Sequence, residues 1–313
     1  MPAFHVERSV LIDATPEKVF ETVSDYATWT AWSPWLPADR DAKVTVSEDS
    51  NSVGSRYHWA GPVVGEGEMR HLTLKSPQRI EDELNFLKPH RSKSKVTFEI
   101  VPSGQQTKVT WHMDGKLPWF MFWMTGMMKT FIGMDFQRGL KMLKELIETG
   151  TVLSNTEVDK IVEMGEGVTK GDLLIGIREK CSLDEVGAKM QAILPRVQQG
   201  LAAAGVATDG DVVSVYHPVD IKCGDVDFTT GWTVPHGTVT PSGLTSLQLS
   251  DGEAFHVRHT GSYENLGNAW SAAYQYARAK KIKLAKRAAF EVYRNDPAQT
   301  PCAELVTDIY LPV

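Results

Sequence analysis

The sequence is poor in cysteine. Its three residues of that type, Cys181, Cys223 and Cys302, lie far apart and match no zinc-ligand spacing. A sparse, odd count excludes a disulfide framework and fits a reducing compartment, so a cytoplasmic location is expected. There is no excess of basic charge either. The 33 Lys and Arg stand against 39 Asp and Glu, a net charge of −6, which disfavours direct nucleic-acid binding through many phosphate contacts. Residues 1–150 carry 18 basic against 19 acidic side chains and residues 151–313 carry 15 against 20, so the second part mildly favours cationic ligands. Long hydrophobic runs are also missing. The nearest to one, Leu117–Met134, is 18 residues interrupted by Lys129 and two glycines, and reads as a Met-rich core or cavity lid rather than a membrane span. The N-terminus alternates from its start, with no basic patch and apolar run, and no signal peptide is expected.

What remains is the composition of a globular protein, 42% hydrophobic and 23% charged, long enough for two domains that each bury a core. The most informative pattern is an internal repeat. REKCSLDEVG (178–187) and RHTGSYENLG (258–267) share Arg178/Arg258, Ser182/Ser262 and Gly187/Gly267 at an offset of 80. Downstream the offset tightens to 77, pairing Val215-Tyr216 with Val292-Tyr293 and Val234-Pro235 with Leu311-Pro312. Each half reads as strand, helix and two closing strands. The helices carry apolar stripes, Val186, Met190, Ile193, Leu194, Val197 and Leu201 in one and Leu266, Ala269, Trp270, Ala273, Tyr274 and Ala277 in the other. Gly205 stops the first helix. A unit used twice places a ligand cleft between its copies.

Residues 1–150 read differently. Phe4–Ile12 alternates, and Thr15-Pro16-Glu17 opens a helix with a cap, a first-turn proline and an early acid. A Trp- and Pro-dense loop (26–37) precedes strand-like runs at 43–47, 55–60, 65–74, 79–87, 93–101 and 106–114. Helical spacing of Phe131, Phe136, Leu140, Leu143 and Ile147 then predicts a long closing helix. The expected fold is α+β throughout: a helix-grip domain over 1–150, a small polar linker at 149–156, and a duplicated β-α-β-β domain over 151–313.

HVERSVLIDATPEKVF, the DYATWTAWSPW loop, YHWAGP, TKVTWHMDG and GMDFQRGLKMLKELIE resemble the SRPBCC/START-like family of polyketide cyclase/dehydrase-like domains, across residues 3–148. That resemblance implies an apolar cavity enclosed by the sheet and the long helix. LLIGIREKCSLDEV, HTGSYENLGNAW and AAFEVYRNDPAQTPCAELVTDIYLPV resemble the GyrI-like small-molecule-binding domain, the effector-binding domain of multidrug-responsive regulators, across about 155–313. It implies a groove between the halves for lipophilic, often cationic compounds, with aromatic side chains and a buried glutamate. For some stand-alone relatives it implies hydrolysis of reactive cyclopropane-containing compounds.

Glu291 is the first candidate, a carboxylate inside the apolar strand FEVY at the position of the family glutamate. Alternation puts Glu291 and Tyr293 on one face and Phe290 and Val292 on the other. If helices cover the Phe290 face, Glu291 points into the groove; the alternative is a solvated or salt-bridged Glu. Its repeat partner is Ser214, so charge falls on one side only. Tyr216 is the partner of Tyr293. Trp232, paired with Ile309, borders the groove or belongs to the core, and Trp270 and Tyr274 likewise line the pocket or fill the helix stripe. His259, Tyr263 and His217 offer acid/base groups or are ordinary turn residues. Asp308 is as readily exposed as functional. Cavity candidates in the first domain are Tyr57, Trp59, Phe86, Trp111 and Met113, with Trp119, Met127 and Phe131; His58 and His112 fall on the outward parity. No metal cluster and no cofactor are expected. The basic run Arg278–Arg287 reads as charges at a helix C-terminus, and no helix-turn-helix is present.

The preferred reading is therefore a cytoplasmic protein that senses or sequesters a lipophilic, cationic small molecule, with a second apolar cavity in the first domain. The alternative is a detoxifying hydrolase using Glu291 with Tyr293. A regulatory effector domain acting through a partner ranks below both.

Overall fold

The computed structural model describes residues 3–116, 123, 125–164, 168–169, 171–217, 225–249 and 251–313. Trp119 and Cys223 lie outside them. The chain divides into two compact units, Met1–Leu153 and Ser154–Val313.

The first unit opens with β1 (Ala3–Ile12), followed by α1 (Pro16–Ser24) and the short α2 (Trp29–Trp32). Thr15 caps α1 as the sequence requires, its hydroxyl accepting from the Lys18 amide. Six strands follow, β2 (Lys43–Val46), β3 (Arg56–Gly61), β4 (Gly65–Lys75), β5 (Arg79–Lys88), β6 (Ser92–Ser103) and β7 (Gln106–Lys116), and then α3 (Thr125–Thr149). All pair antiparallel in the order β1-β7-β6-β5-β4-β3-β2, and α3 packs on β1, α1 and α2. Gly133, Phe136, Gly139, Leu140 and Leu143 form its buried stripe. Phe131 sits five residues before Phe136, well off that stripe, so Phe131 and Met127 are 48% and 42% exposed rather than lining a cavity.

The other apolar candidates divide. Tyr57, Trp111 and Met113 are buried in the core, while Trp59 and Phe86 are partly buried at its margin. Trp111 stacks flat on Phe136 at 4.0 Å and lies 5.1 Å from Phe98, with Trp32 and Trp35 edge-on at 5.7 and 5.9 Å. The Trp-rich loop thus closes over the sheet and fills the interior. Beneath it is a buried pair that no sequence pattern announced: His71 on β4 stands opposite Asp82 on β5, Nδ1 to Oδ1 at 2.5 Å. Its Nε2 reaches the Ser24 carbonyl at 2.8 Å, and the Tyr26 ring stacks on it at 3.9 Å. A carbonyl only accepts, so Nε2 carries a proton and a second proton is held between Nδ1 and Asp82. Both side chains are fully buried, which makes this a fastening of the α1–α2 loop to the sheet.

The second unit comprises β8 (Ser154–Met164), β9 (Leu173–Ser182), α4 (Val186–Ala203), β10 (Val212–Tyr216), β11 (Asp225–Val234), β12 (Thr245–Gln248), β13 (Gly252–Gly261), α5 (Leu266–Lys280), β14 (Ala289–Tyr293) and β15 (Val306–Pro312). They form one antiparallel sheet in the order β12-β9-β11-β10-β14-β15-β13-β8. The two halves are more entangled than a tandem β-α-β-β reading implies. β8 precedes β9 in the chain but pairs with β13, and β12 precedes β13 but pairs with β9. Each half's leading strand is lent to the other half's edge.

The recurring residues of the repeat are scaffold. Ser182 and Ser262 both cap the turn into their helix, and Arg178 and Arg258 pair with Asp227 and Asp308 on the closing strands. Asp308 is buried rather than exposed, held also by Arg294 at 2.7 Å and His256 at 2.9 Å. These three partners keep its carboxyl well below the usual range against the opposing effect of burial. Arg178 lies opposite Thr229 and Arg258 opposite Asp308. With the first strands offset by 80, the last strands, β11 and β15, are therefore offset by 79 and not 77, while β10 and β14 keep 77. Trp232 corresponds to Leu311 rather than to Ile309. At Gly205 the backbone takes φ +70°, which stops α4 at no steric cost.

Gly176 and Gly231 are register partners, and a Cβ at Gly231 would run into the Ile175 carbonyl oxygen, one at Gly176 into that of Thr230. Gly231→Ala is expected to destabilise the second unit by about 1–3 kcal/mol, because backbone rather than a side chain must move. A lowered urea midpoint at unchanged slope would register it.

Candidate functional site

The site lies at the centre of the second sheet, where β10 and β14 meet. Ser214 stands directly opposite Glu291, Val212 opposite Tyr293 and Tyr216 opposite Ala289. Since Ser214/Glu291 and Tyr216/Tyr293 are repeat partners, the pseudo-dyad passes between Ser214 and Glu291. A residue and its copy face each other there, and only one of them is acidic.

The face carrying Glu291 is the one the helices cover. α4 packs with Ile175, Phe228, Val234 and Trp232, and α5 with Phe255, Val257, Ile309 and Leu311. Phe290 and Val292 instead join a third cluster, with Val213, Val215 and Tyr310 on the opposite face. The helices thus cover the Glu291 face and not the Phe290 face, and Glu291 is the floor between them.

Three neutral donors converge on Glu291. The Tyr216 and Tyr293 hydroxyls both donate to Oε2, at 2.9 and 2.5 Å, and Trp270 Nε1 of α5 donates to Oε1 at 2.5 Å. The pseudo-symmetric tyrosines thus reach one oxygen from both halves. Glu291 is 1% exposed. Burial raises its pKa above the ordinary value although the three hydrogen bonds pull it down. Burial, then Glu291 itself, pushes both tyrosines far up, and Tyr263, edge-on to Tyr293 at 5.6 Å, is pushed up to about 12. All three tyrosines are therefore protonated at neutral pH, and Tyr216 and Tyr293 serve as donors. Among the described residues Glu291 has no cationic partner. A carboxylate offers about four lone-pair sites, and three are used.

Around the carboxylate stand aromatic rings. Tyr216 meets Trp270 edge-on at 5.2 Å, and Tyr274 lies 6.2 Å beyond Trp270 at the 51%-exposed end of the row. Across the dyad, Tyr293 Oη is 3.4 Å from both Met190 Sδ and Ser214 Oγ, and Ser214 bonds Thr230 at 2.7 Å. The sequence presents Met190 of α4 only as part of the apolar stripe. The repeat offset of 80 makes it the counterpart of Trp270, and that offset was the signal available. One side of the dyad therefore holds Glu291 with Trp270, the other Ser214 with Met190.

Other candidates fall elsewhere. Trp232 packs in the α4 cluster. His259 is buried near the end of β13, opposite Thr307, and bonded through Nε2 to the Ser262 carbonyl of the turn before α5 at 3.0 Å, with its pKa lowered by burial; among the described residues no contact brings it to Glu291. His217 bonds Thr229 at 2.8 Å.

A helix-grip α+β unit followed by a duplicated sheet with a central buried carboxylate defines a small-molecule-binding protein of two domains. Residues 3–148 match the family model "Polyketide cyclase / dehydrase and lipid transport", and residues 173–313 match "GyrI-like small molecule binding domain". The chain is an SRPBCC-like domain fused to a GyrI-like domain. No curated protein matches it. Solved structures similar to it include protein CV1439 from Chromobacterium violaceum, at 19% identity over 46% of this chain and 98% of that one, with a TM-score of 0.35. Protein MLL2253 from Mesorhizobium loti matches at 16% identity over 46% and 96%, TM-score 0.36. The Aha1 dimer from Colwellia psychrerythraea matches at 15% over 47% and 97%, TM-score 0.35. Among the described residues no helix is long and apolar enough to cross a membrane.

Proposed function

We propose that the second domain binds a lipophilic monocation between α4 and α5, with Glu291 as its counter-charge and Tyr216, Trp270, Tyr293 and Tyr263 as its aromatic walls. One observation carries the reading: a fully buried carboxylate held by three neutral donors and, among the described residues, no cation. Such a group is costly to ionise until a positive charge arrives. Aromatic faces add about 0.5–2 kcal/mol each to holding it. Tyr274 and Trp270 form the entry side, where the stripe emerges to solvent. In the first domain, Trp59 and Phe86 are the residues left at the core margin to meet a second apolar ligand.

Titration of the full chain with tetraphenylphosphonium, followed by quenching of tryptophan emission, tests this. Because burial raises the Glu291 pKa, the cation binds weakly where the carboxyl is protonated. Its affinity is expected to rise with pH through that pKa and then level off. Triphenylphosphine oxide, neutral and of similar shape, should show no such rise. Equal pH profiles for the two compounds would remove Glu291 as the counter-charge.

The hydrolase reading uses the same residue. A carboxylate of raised proton affinity, 2.5 Å from the Tyr293 hydroxyl, is suited to take a proton from water. Product in excess of one equivalent from a reactive cyclopropane compound would favour it over binding alone.

A further inference from the structure

We propose that the outer face of β1 and β7 in the first domain is a binding site for a divalent transition metal of the zinc class, with His5, Glu7 and His112 as its ligands. The register places Glu7 opposite His112 and His5 opposite Asp114. Phe4, Val6, Trp111 and Met113 point into the core, so alternation sends His5, Glu7, His112 and Asp114 outward as a two-by-two array. One oxygen is the focus of that array. Glu7 Oε2 is 3.3 Å from His5 Nε2 and 3.1 Å from His112 Nδ1, and ligand atoms of the three residues all lie within 4.8 Å of one another. Donors bound tetrahedrally to zinc at 2.0–2.1 Å are about 3.3 Å apart, so two of the three edges are already of coordinating length.

The outer nitrogens strengthen the case. A histidine that ligates a metal hands its other ring nitrogen to a carboxylate or carbonyl, which sets its tautomer and orientation. His5 does this with Asp114, Nδ1 to Oδ1 at 2.8 Å. His112 Nε2 is turned to Glu99 Oε2 on β6, at 3.6 Å. Each imidazole thus has one nitrogen on the shared Glu7 oxygen and the other toward its own carboxylate.

Two imidazoles and one carboxylate leave a fourth position for water or an external ligand. Mixed nitrogen and oxygen donors select copper and zinc over magnesium and calcium, which prefer all-oxygen cages.

The test is competition of the full chain with a chromophoric chelator for zinc chloride, in a buffer that does not bind metal. One equivalent should bind, copper more tightly, and a large excess of magnesium should not displace it. His112→Ala and Glu7→Ala should each weaken binding at least tenfold, and Asp114→Asn about tenfold through the orientation of His5. These side chains sit on the outer face, and far-UV circular dichroism checks that each variant folds. Cobalt substitution should give visible bands without thiolate charge transfer. Unchanged affinity in a His5→Ala/His112→Ala double variant, or a thiolate band assigning the metal to a cysteine, would overturn the proposal.

Discussion

Glu291→Gln is expected to weaken binding of a lipophilic monocation by about 30-fold or more, on the order of 2 kcal/mol, as removal of one member of a desolvated charge pair does. The isosteric amide keeps the volume, so aromatic contacts survive and a neutral analogue should bind as before. Hydrogen bonding need not collapse. The amide oxygen can accept from Trp270 Nε1, which has no alternative, while the Tyr216 and Tyr293 hydroxyls can rotate to accept from the amide nitrogen. Stability should move the other way. With the folded-state pKa of Glu291 raised above its unfolded value, the native state holds the proton more tightly. Its stability then falls as pH rises from the ordinary carboxylate range to the folded pKa, and stays at the lower level beyond it. The Gln variant lacks that decline and should equal or exceed the wild type near neutral pH. Melting temperatures across pH for both proteins, with calorimetric titration of the cation, measure the two effects together. Equal cation affinity in wild type and variant would eliminate the electrostatic role.

Alternation and caps made the elements legible, because they depend on neighbours in the chain. Thr15 before Pro16, the glycine after α4 and the outward parity of His112 are all local. The position of Glu291 in the strand was local too. What the helices cover was not: whether Phe290 or Glu291 lies beneath α4 and α5 depends on the handedness of each strand–helix connection, which the spacing of apolar residues leaves open. Strand exchange was hidden for a related reason. β8 and β12 look like the natural partners of the strands that follow them, and only the completed sheet shows them lent across the dyad. The offset of the last strands is hidden because Val234-Pro235 and Leu311-Pro312 coincide at 77, whereas the ladder aligns Thr229 with Asp308. Cross-strand pairs such as His71 with Asp82, or Glu7 with His112, are register facts, set by the pairing of two strands and the turns between them rather than by either strand's own pattern.

Trp111→Ala is expected to cost the first domain about 3–5 kcal/mol, the range for removing a large aromatic from a packed core. The reason is its neighbourhood. Phe136 lies flat on one side at 4.0 Å, Phe98 is nearly parallel at 5.1 Å, and Trp29, Trp32 and Trp35 meet it edge-on. α3 comes so close that a Cβ at Gly139 would touch the indole at 2.9 Å. Collapse into the vacancy would need both α3 and the Trp-rich loop to shift, and each is tied elsewhere: Trp35 Nε1 donates to Asp135 at 2.9 Å and Arg138 to the Pro34 carbonyl. For a unit of this size such a loss lowers the thermal midpoint by roughly 10 °C. Trp59→Ala makes the comparison. Its ring is partly exposed, meets Phe86 edge-on at 6.1 Å and overlies Gly67, so its removal opens a space that solvent can enter, and about 1 kcal/mol is expected. Were Trp111 the wall of a cavity, its truncation would merely enlarge that cavity and its cost would fall to the level of Trp59. A difference of several degrees between the two melting curves, with tetraphenylphosphonium binding to the second domain unchanged in both, identifies Trp111 as the keystone of the core and leaves Trp59 and Phe86 as the residues available to an apolar ligand.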